Sequence, residues 1–398
     1  MKRILFVDDE KNILDGIRRS LHAQRDRWEM HFALSGEDAL ALCEQLSFDV
    51  VVTDMRMPGM DGATLLGHIR DRFPEAARLI LSGYSETALA GRAAAVAYRV
   101  LTKPCNGAEL QEAIERVCTL QDIFCTPQIR KTIGSIGQLP SLSSTYSTLT
   151  LAVADPEVSI ASIAGIIEGD VAMTAKVLQL VNSGFFGLAK PMTTVSNAVN
   201  YLGLETIKNL VLVSDTFRVF TAGSGIPLSF CQTLQRHANR TARIVATLPL
   251  ERNLRDIAVV AALLQDAGEL ILACRMPEQF AAALHLARKT GCRSFEAEEA
   301  TFGTSHAEIG ACLLGLWGLN PLTVEAVAHH HRPTRVPHTG LDASTAVYIA
   351  GRLAVELDSP PSDLHGGVLP EPDIESISRL GLLPQLPSLL ARAIAALP

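Results

Sequence analysis

The sequence lacks several features that would mark particular classes of protein. Its eight cysteines include no CxxC pair and do not follow the pattern of a secreted disulfide-rich domain, so we expect reduced, mostly buried thiols. No stretch approaches the roughly 20 consecutive apolar residues that a membrane-spanning helix needs. The apolar run in the N-terminal MKRILFVDDE is short and stops at two aspartates. We therefore expect no signal peptide, no membrane insertion and a cytoplasmic location.

Positive charge is also scarce. The formal net charge is −7, which argues against nucleic acid as a partner because phosphate binding needs a basic face. Charged residues make up only 19% of the chain and hydrophobic residues 48%. A chain of 398 residues with this composition can bury the cores of two or three domains.

Short apolar runs alternate with amphipathic helical patterns up to about residue 120. Four runs have the length and composition of buried parallel strands: ILFV (Ile4–Val7), VVVT (Val50–Thr53), LILS (Leu79–Ser82) and VLT (Val100–Thr102). Each is followed by a turn and then by a helical pattern. This alternation predicts a doubly wound parallel sheet, with its functional site at the carboxyl ends of the strands.

The pattern becomes helical after about residue 125. The stretch TPQIRKTIGSIGQLPSL is rich in proline and glycine and suits a linker. Beyond it, Ile160, Ile163 and Ile167 lie on one face of a helix for which Ser159 is a suitable N-cap. We find no convincing strand alternation in this part. The second half is therefore predicted to be all-α, ending in a helix within LPSLLARAIAAL (Leu386–Leu397).

Polar residues follow the predicted strands of the first half. Asp8 and Asp9 end the first strand, Asp54 the third and Ser82 the fourth, and Lys103 follows the fifth. Because the strand ends converge, these side chains should meet in one pocket. Carboxylates placed together repel one another, and a hard ion such as Mg²⁺ removes that repulsion. One carboxylate can then act as a nucleophile and become an aspartyl phosphate.

These residues resemble those of the receiver domain of two-component response regulators, over residues 1–122. The resemblance implies a flavodoxin-like, five-stranded α/β fold. It also implies Mg²⁺ as cofactor, a sensor histidine kinase as phosphodonor and a homodimer through the receiver face. The metal ligands implied are Asp8, Asp9, Asp54 and the main-chain carbonyl of Arg56.

The family's reacting groups map onto three positions. Asp54 would be the phosphoacceptor, Ser82 the hydroxyl that binds the phosphoryl group, and Lys103 its lysine, whose bond to Pro104 is typically cis in the family. One position departs from the family pattern. Val100 stands where receiver domains often carry an aromatic switch, and the nearby Tyr98 has the wrong parity along a strand.

The helical half is similar to the HDOD domain of bacterial signalling proteins, a relative of the HD metal phosphohydrolases. Four stretches carry the similarity: LPSLSSTYSTLTLAVADPEVSIASIAGIIEGDVAMTAKVLQLVNSGFFGL, VSNAVNYLGLETIKNLVL, SHAEIGACLLGLWGLN and AVAHHHRP. The resemblance implies an HD-like HDOD domain at 140–335, a linker at 123–139, and a C-terminal helical extension at 336–398.

Metal-binding HD proteins hold divalent ions with histidines and aspartates from several helices. Carried over by position, their ligands fall on His237, Gln265, Asp266, His306, and His329 or His330. Gln265 replaces a histidine, and the family's closing aspartate falls at or near Gly351. Because a neutral amide is a weak ligand and glycine is none, we predict a vestigial site and expect no metal in this domain. Asp342 is a conceivable substitute, but nothing in the sequence places it there.

We therefore predict a non-catalytic response regulator whose output is interaction with an unidentified downstream protein. Two alternatives remain open. One is a metal-dependent phosphohydrolase or cyclic-nucleotide phosphodiesterase of the HD type, and the other is a domain that binds a nucleotide second messenger without cleaving it. DNA binding is not expected, because no helix-turn-helix module or basic recognition helix follows the receiver.

Overall fold

The computed structural model contains two compact units. One consists of Met1–Gln138 with Gln179–Pro191 and Gly315–Gly318, and the other of Leu139–Leu178, Met192–Leu314 and Leu319–Pro398. The residues that the structure describes are 1–83, 92–93, 96–124, 127–136, 140–141, 143–155, 158–182, 188, 190–212, 218–219, 227–337, 340–356 and 374–396.

The first unit is built on a five-stranded parallel sheet in the order β2-β1-β3-β4-β5. The strands are β1 (Lys2–Val7), β2 (Trp28–Ala33), β3 (Val50–Asp54), β4 (Ala77–Gly83) and β5 (Arg99–Lys103). The described helices are α1 (Lys11–Ser20), α2 (Gly36–Gln45), α3 (Gly62–Arg72), α4 (Gly107–Phe124) and α5 (Pro127–Gly134), with a 3₁₀ turn at His22–Gln24. This order confirms the flavodoxin-like, doubly wound fold.

The four apolar runs found in the sequence fall within β1, β3, β4 and β5. All five residues of β3 are buried, because helices cover both faces of a parallel sheet. The second strand, WEMHFA, was not among those runs. Only its two end residues are fully buried, and it includes Glu29 and His31, so it gives a weak apolar signal.

Helix α3 begins very close to the end of β3. The side chain of Asp61 caps it by accepting a hydrogen bond from the Thr64 amide at 2.8 Å. A Cβ atom at Gly62 would lie 2.0 Å from the carbonyl oxygen of Asp54, so the position has no room for a side chain. The chain thus leaves the phosphoacceptor strand through a contact that only glycine allows.

The second half of the chain is almost entirely helical. Its helices are α6 (Ser143–Ala154), α7 (Ile160–Glu168), α8 (Val171–Val181), α9 (Val195–Leu212), α10 (Leu228–Thr247), α11 (Arg252–Leu264), α12 (Ala267–Arg275), α13 (Pro277–Thr290), α14 (Ser294–Phe302), α15 (His306–Leu316), α16 (Pro321–His329), α17 (Ala343–Glu356), α18 (Ile374–Arg379) and α19 (Leu386–Ala396). Short 3₁₀ turns occupy Pro333–Arg335 and Leu383–Gln385.

Local sequence signals account for several of these boundaries. Ser159 caps α7 by accepting a hydrogen bond from the Ser162 amide, and Ile163 and Ile167 are buried, as the sequence predicted. Helix α16 ends at His329, ahead of Pro333. One feature departs from the all-α expectation: β6 (Pro140–Ser141) and β7 (Arg218–Val219) form a two-residue parallel pair.

Among the described residues, one helical stretch, Arg252–Arg275, is long and apolar enough by length and composition to cross a bilayer. Its mean hydropathy is 1.8, and 89% of its most apolar window is buried inside the protein. The stretch covers α11 and α12, which the turn at Gln265–Asp266 separates. Burial of this extent is what a core helix shows, so the stretch is weak support for a membrane span.

Parts of two sequence predictions fall outside the described residues. The linker predicted at 123–139 contains α5, but 125–126 and 137–139 are not described. In the C-terminal extension, 357–373 are not described, and α19 lies where the last helix was predicted.

Candidate functional site

The carboxyl ends of β1, β3 and β5 bring three of the predicted site residues together. Asp8 and Asp54 are buried, and the ammonium of Lys103 contacts both carboxylates. Its Nζ atom lies 2.9 Å from Asp8 Oδ2 and also pairs with Asp54 Oδ1. Lys103 thus bridges two negative charges that would otherwise repel each other in a partly buried pocket.

Backbone amides orient both carboxylates. The amide of Arg56 donates to Asp54 Oδ2 at 2.9 Å, and the amide of Glu10 donates to Asp8 Oδ1 at 2.9 Å. These bonds hold one oxygen of each carboxylate and leave the other directed at Lys103. Asp9 is exposed beside Asp8. The bond between Lys103 and Pro104 is cis, as the resemblance implied.

Ser82 is fully buried near the end of β4. In the sheet register, Ser82 pairs with Thr102 of β5, while the residues on either side of it pair with the ends of the neighbouring strands: Leu81 with Asp54, and Gly83 with Lys103. The hydroxyl therefore belongs to the strand that lies between the acidic and the basic member of the cluster.

Electrostatics in this cluster favour an added cation. Burial raises the pKa of Asp54, and the charge of Asp8 raises it further, while Lys103 and the Arg56 amide oppose the shift. Burial lowers the pKa of Lys103, but its contacts with Asp54 and Asp8 outweigh that effect and raise it. One ammonium therefore does not neutralise the carboxylates fully.

The donor set fits Mg²⁺. Asp8, Asp9, Asp54 and the main-chain carbonyl of Arg56 offer only oxygen atoms, which are the ligands that a hard divalent ion prefers. Lys103 already holds a positive charge between two of them. A second cation would complete the neutralisation of this acidic pocket.

The position at which receiver domains often carry an aromatic switch holds an aliphatic residue, as the sequence indicated. Val100 is buried in β5. Tyr98, also buried, lies just before β5, and the guanidinium carbon of Arg78 lies 4.5 Å from the centre of its ring. The tyrosine is thus engaged with a buried cation in the core of the sheet.

A second cluster of chemically active side chains lies inside the helical part, around Asp266. This residue precedes α12, and its carboxylate faces three of the predicted histidines. The Oδ1 atom lies 3.6 Å from His306 Nε2 and 3.5 Å from His330 Nε2, and Oδ2 lies 3.9 Å from His237 Nε2. His306 begins α15 and His330 follows α16, so the elements meet end to end here.

Three members of this cluster were missed from the sequence: Glu269, Glu298 and His331. Glu298 Oε2 lies 2.7 Å from both the amide nitrogen and the Nδ1 atom of His306. His331 Nε2 lies 2.9 Å from His306 Nε2. Glu269 Oε1 lies 3.8 Å from His306 Nδ1. Nothing in the sequence indicated Glu298, because this residue lies in α14 and no recognisable motif surrounds it.

Burial and close approach shift the pKa values in this cluster strongly. Burial lowers the pKa of His306, but the charge and hydrogen bond of Glu298, with the charges of Glu269 and Asp266, raise it to about 10. Burial raises the pKa of Glu269 well above its usual range. Burial acts in the same direction on Asp266, but His330, His237 and His306 hold the pKa of that carboxyl well below its usual range.

At two positions where HD proteins carry further metal ligands, this protein has glutamine and glycine instead. Gln265 is buried, and its side-chain amide donates to Thr241 Oγ1 at 3.4 Å. A Cβ at Gly351 would lie 3.5 Å from Gln265 Oε1, so the two positions face each other. Asp342 caps α17 through the Thr345 amide at 2.9 Å. His329 is outside the two groups of potential metal ligands found among the described residues.

A cleft opens beside the Asp266 cluster, with an empty volume of about 670 Å³ that includes solvent at its mouth. Its walls combine basic, aromatic and small residues. They include His237, His331, Arg293, Arg352, Phe295 and Gly351.

The fold and the acid–lysine cluster together define the receiver class of signalling domain. Residues 4–115 match the response regulator receiver domain, and residues 139–333 match the HDOD domain. The protein is therefore a two-component response regulator that joins a receiver domain to an HDOD domain.

Individual relatives share parts of this organisation. The chain is 26% identical over 242 residues to an uncharacterised protein of Treponema pallidum, covering 58% of the chain and 45% of the relative. It is 32% identical over 122 residues to the hydrogenase transcriptional regulatory protein HoxA of Cupriavidus necator, covering 30% of the chain and 25% of the relative. The chain thus spans less than half the length of these curated relatives.

Among solved structures, the chain is similar to the MmoQ response regulator of Methylococcus capsulatus. The identity is 21%, the match covers 64% of this chain and 98% of that one, and the TM-score is 0.49.

Proposed function

We propose that Asp54 accepts a phosphoryl group from a sensor histidine kinase and that the HDOD domain relays this state by protein interaction, without catalysis of its own. The observation that carries the first part is the position of Lys103, whose ammonium joins Asp8 and Asp54 at the strand ends. The family's phosphodonor chemistry needs this combination of carboxylate, cation and hydroxyl. We place the protein in the cytoplasm, where such kinases present their phosphohistidine.

In this proposal the receiver residues supply the nucleophile, the phosphoryl-binding groups and the metal ligands. Asp54 Oδ1 attacks the phosphorus atom, and the leaving imidazole departs from the opposite side. The ammonium of Lys103 shifts from the unphosphorylated Asp54 carboxylate to the new phosphoryl oxygens. The Ser82 hydroxyl donates a hydrogen bond to one of these oxygens. Asp8, Asp9, Asp54 and the Arg56 carbonyl would hold Mg²⁺, which supplies charge neutralisation for the phosphoryl group.

Phosphate uptake from acetyl phosphate tests the receiver assignment. We expect one phosphate per chain in the presence of Mg²⁺, and none in Asp54→Asn, which keeps the shape of the side chain but not its charge. Asp26→Asn is a matched control, because Asp26 is an exposed carboxylate outside the cluster. Uptake by Asp54→Asn equal to that of the wild type would refute the assignment.

A non-catalytic output is supported by the two lost ligand positions. Gln265 is occupied by its hydrogen bond to Thr241, and Gly351 offers no donor atom. A two-metal hydrolytic centre of the HD type would lack two of its ligands at these positions. Turnover of phosphodiesters or phosphomonoesters by purified protein, lost in Asp266→Asn, would contradict this part of the proposal.

The cleft favours a second candidate, binding of a nucleotide second messenger. Arg293 and Arg352 can pair with phosphate, and Phe295 offers a ring for a base. Calorimetric titration with cyclic dinucleotides, on the wild type and on Arg352→Ala, tests this role. Binding that Arg352→Ala abolishes would favour it, and the absence of heat would remove it.

A further inference from the structure

We infer that the helical domain holds one late first-row divalent metal ion, with Zn²⁺-like preferences, on Asp266, His306, His330 and His331. This ligand set differs from the one that the family resemblance suggested, and the inference goes beyond the proposed function. The sequence expectation of no metal rested on Gln265 and Gly351. The structure instead brings His331 Nε2 to 2.9 Å from His306 Nε2, and His306 and His330 both face the carboxylate of Asp266.

The distances between donor atoms suit a shared ion. Atoms bound to one ion at about 2.1 Å lie about 3.0–3.4 Å apart for bond angles between 90° and 109°. His331 Nε2 lies 2.9 Å from His306 Nε2, and Asp266 Oδ1 lies 3.5 Å from His330 Nε2 and 3.6 Å from His306 Nε2. A donor atom from each of the three histidines lies within 4.8 Å of the other two. The three separations from His306 to His331, from Asp266 to His330 and from Asp266 to His306 each lie within a few tenths of an ångström of this range.

The hydrogen bonding of His330 indicates that a cation lies next to its Nε2 atom. Its Nδ1 donates to the carbonyl of Val327 at 2.7 Å, so in the neutral ring Nε2 carries a lone pair. That atom is buried, has no hydrogen-bond partner in the part of the chain that the structure describes, and faces a carboxylate oxygen of Asp266. Two acceptors facing each other in a buried site are unfavourable unless something positive lies between them.

Glu298 orients His306 as an outer partner orients a metal ligand. Its carboxylate accepts the Nδ1–H of His306 at 2.7 Å, which leaves Nε2 to face Asp266 and His331. Histidines that bind metals generally donate their other ring nitrogen to a carboxylate or carbonyl in this way. His330, with its bond to Val327, follows the same pattern.

The charge and donor type select the ion. A divalent ion would offset the negative charge that the buried carboxyl groups of Asp266, Glu269 and Glu298 can bring to the cluster. Three imidazoles with one carboxylate favour Zn²⁺, Co²⁺ or Fe²⁺ over Mg²⁺. A proton shared by His306 and His331 is the competing arrangement. It would explain their 2.9 Å separation but would leave His330 Nε2 and Asp266 Oδ1 facing each other at 3.5 Å.

Cobalt binding tests the inference with a readout independent of any activity. The full-length chain is stripped with a chelator, exchanged into buffer with excess Mg²⁺ to occupy the receiver carboxylates, and titrated with Co²⁺. We expect one equivalent of Co²⁺ per chain, with visible absorption bands typical of imidazole ligation. The same stoichiometry is expected in Asp54→Asn, which separates this site from the receiver.

The histidine variants locate the ion. His330→Gln and His331→Gln should each weaken Co²⁺ binding by at least about 10–100-fold, the loss typical of altered metal sites. His285→Gln is the matched control, because His285 is an exposed histidine of α13, and its affinity should equal that of the wild type. Far-ultraviolet circular dichroism checks that each variant is folded.

Two outcomes would overturn the inference. One is a wild-type chain that binds no Co²⁺ in excess Mg²⁺, which would favour the shared proton. The other is binding that persists unchanged in both His330→Gln and His331→Gln, which would show an adventitious site. If His330→Gln does not fold, His331→Gln decides the matter, because His331 is only partly buried at the cleft wall.

Discussion

Replacing Gly62 with alanine should damage the phosphoacceptor site, although the new methyl group touches no reacting atom. The added Cβ would lie 2.0 Å from the carbonyl oxygen of Asp54, where contacts below 3.0 Å do not occur. The start of α3 and the end of β3 must therefore separate by at least 1 Å. Overpacking of this kind costs about 1–3 kcal/mol, and a backbone neighbour that cannot rotate away places the cost near the upper value.

Gly67 provides the matched control within the same helix. Among the described residues, a Cβ there would meet only Val96 Cγ1, at an ordinary 4.0 Å. Gly67→Ala should therefore stabilise α3 by up to about 1 kcal/mol through helix propensity alone. The two substitutions add the same atoms to one helix, and their free energies of unfolding should differ by about 2–4 kcal/mol.

Two measurements check this prediction. In a Trp317→Phe background the buried Trp28 of β2 is the only tryptophan, so its fluorescence during urea unfolding follows the receiver sheet. Phosphate uptake from acetyl phosphate should fall by about 10²-fold in Gly62→Ala, because a displacement of 1 Å can cost that much in a positioned reaction. Equal stability and equal uptake in the two variants would refute the reasoning.

Three further predictions concern charged groups that are buried or partly buried. Lys103→Ala should slow phosphate uptake by about 10²-fold, since it removes a charge aimed at the developing phosphoryl group, whereas Lys11→Ala, at an exposed lysine of α1, should have little effect. Burial lowers the pKa of Lys176 from 10.5 to about 7, so Lys176→Met should raise the free energy of unfolding by about 2–4 kcal/mol at pH 6. The unfolded chain binds that proton more tightly, so the lysine's penalty is full below pH 7 and fades as pH rises toward 10.5. Urea unfolding should thus show the gain shrinking across this range, and a gain independent of pH would contradict the assignment. Glu298→Gln should leave the fold intact, as judged by circular dichroism, yet weaken Co²⁺ binding by about 10–100-fold, and unchanged affinity would show that Glu298 does not position His306.

The receiver sheet was predictable from the sequence because its chemistry and its burial coincide. Apolar runs such as ILFV and VVVT mark strands buried on both faces, and a reactive residue follows directly after each. Position along the chain therefore gave position in space. The second strand was not predicted because only two of its residues are fully buried. Its hydrophobic pattern is therefore not distinguishable from that of a polar segment.

The Asp266 cluster was predictable only in part. Family positions indicated Asp266, His306 and His330, and the structure brings all three together. Glu298 and His331 join them through the way in which helix ends meet, which no periodicity in the sequence records. The tautomers depend on single contacts, such as the bond from His330 to the Val327 carbonyl, and these exist only once the helices are packed.

The facing pair of Gln265 and Gly351 has a consequence for how substitutions at the two positions combine. An aspartate introduced at 351 alone would direct its carboxylate at an amide already bonded to Thr241, and a histidine introduced at 265 alone would face a position without a side chain. Neither change restores a complete hydrolytic centre by itself, so selection would have no intermediate step to favour. In a deep mutational scan for metal-dependent hydrolysis, the two positions should show strong epistasis, because a centre of the HD type would require both changes together.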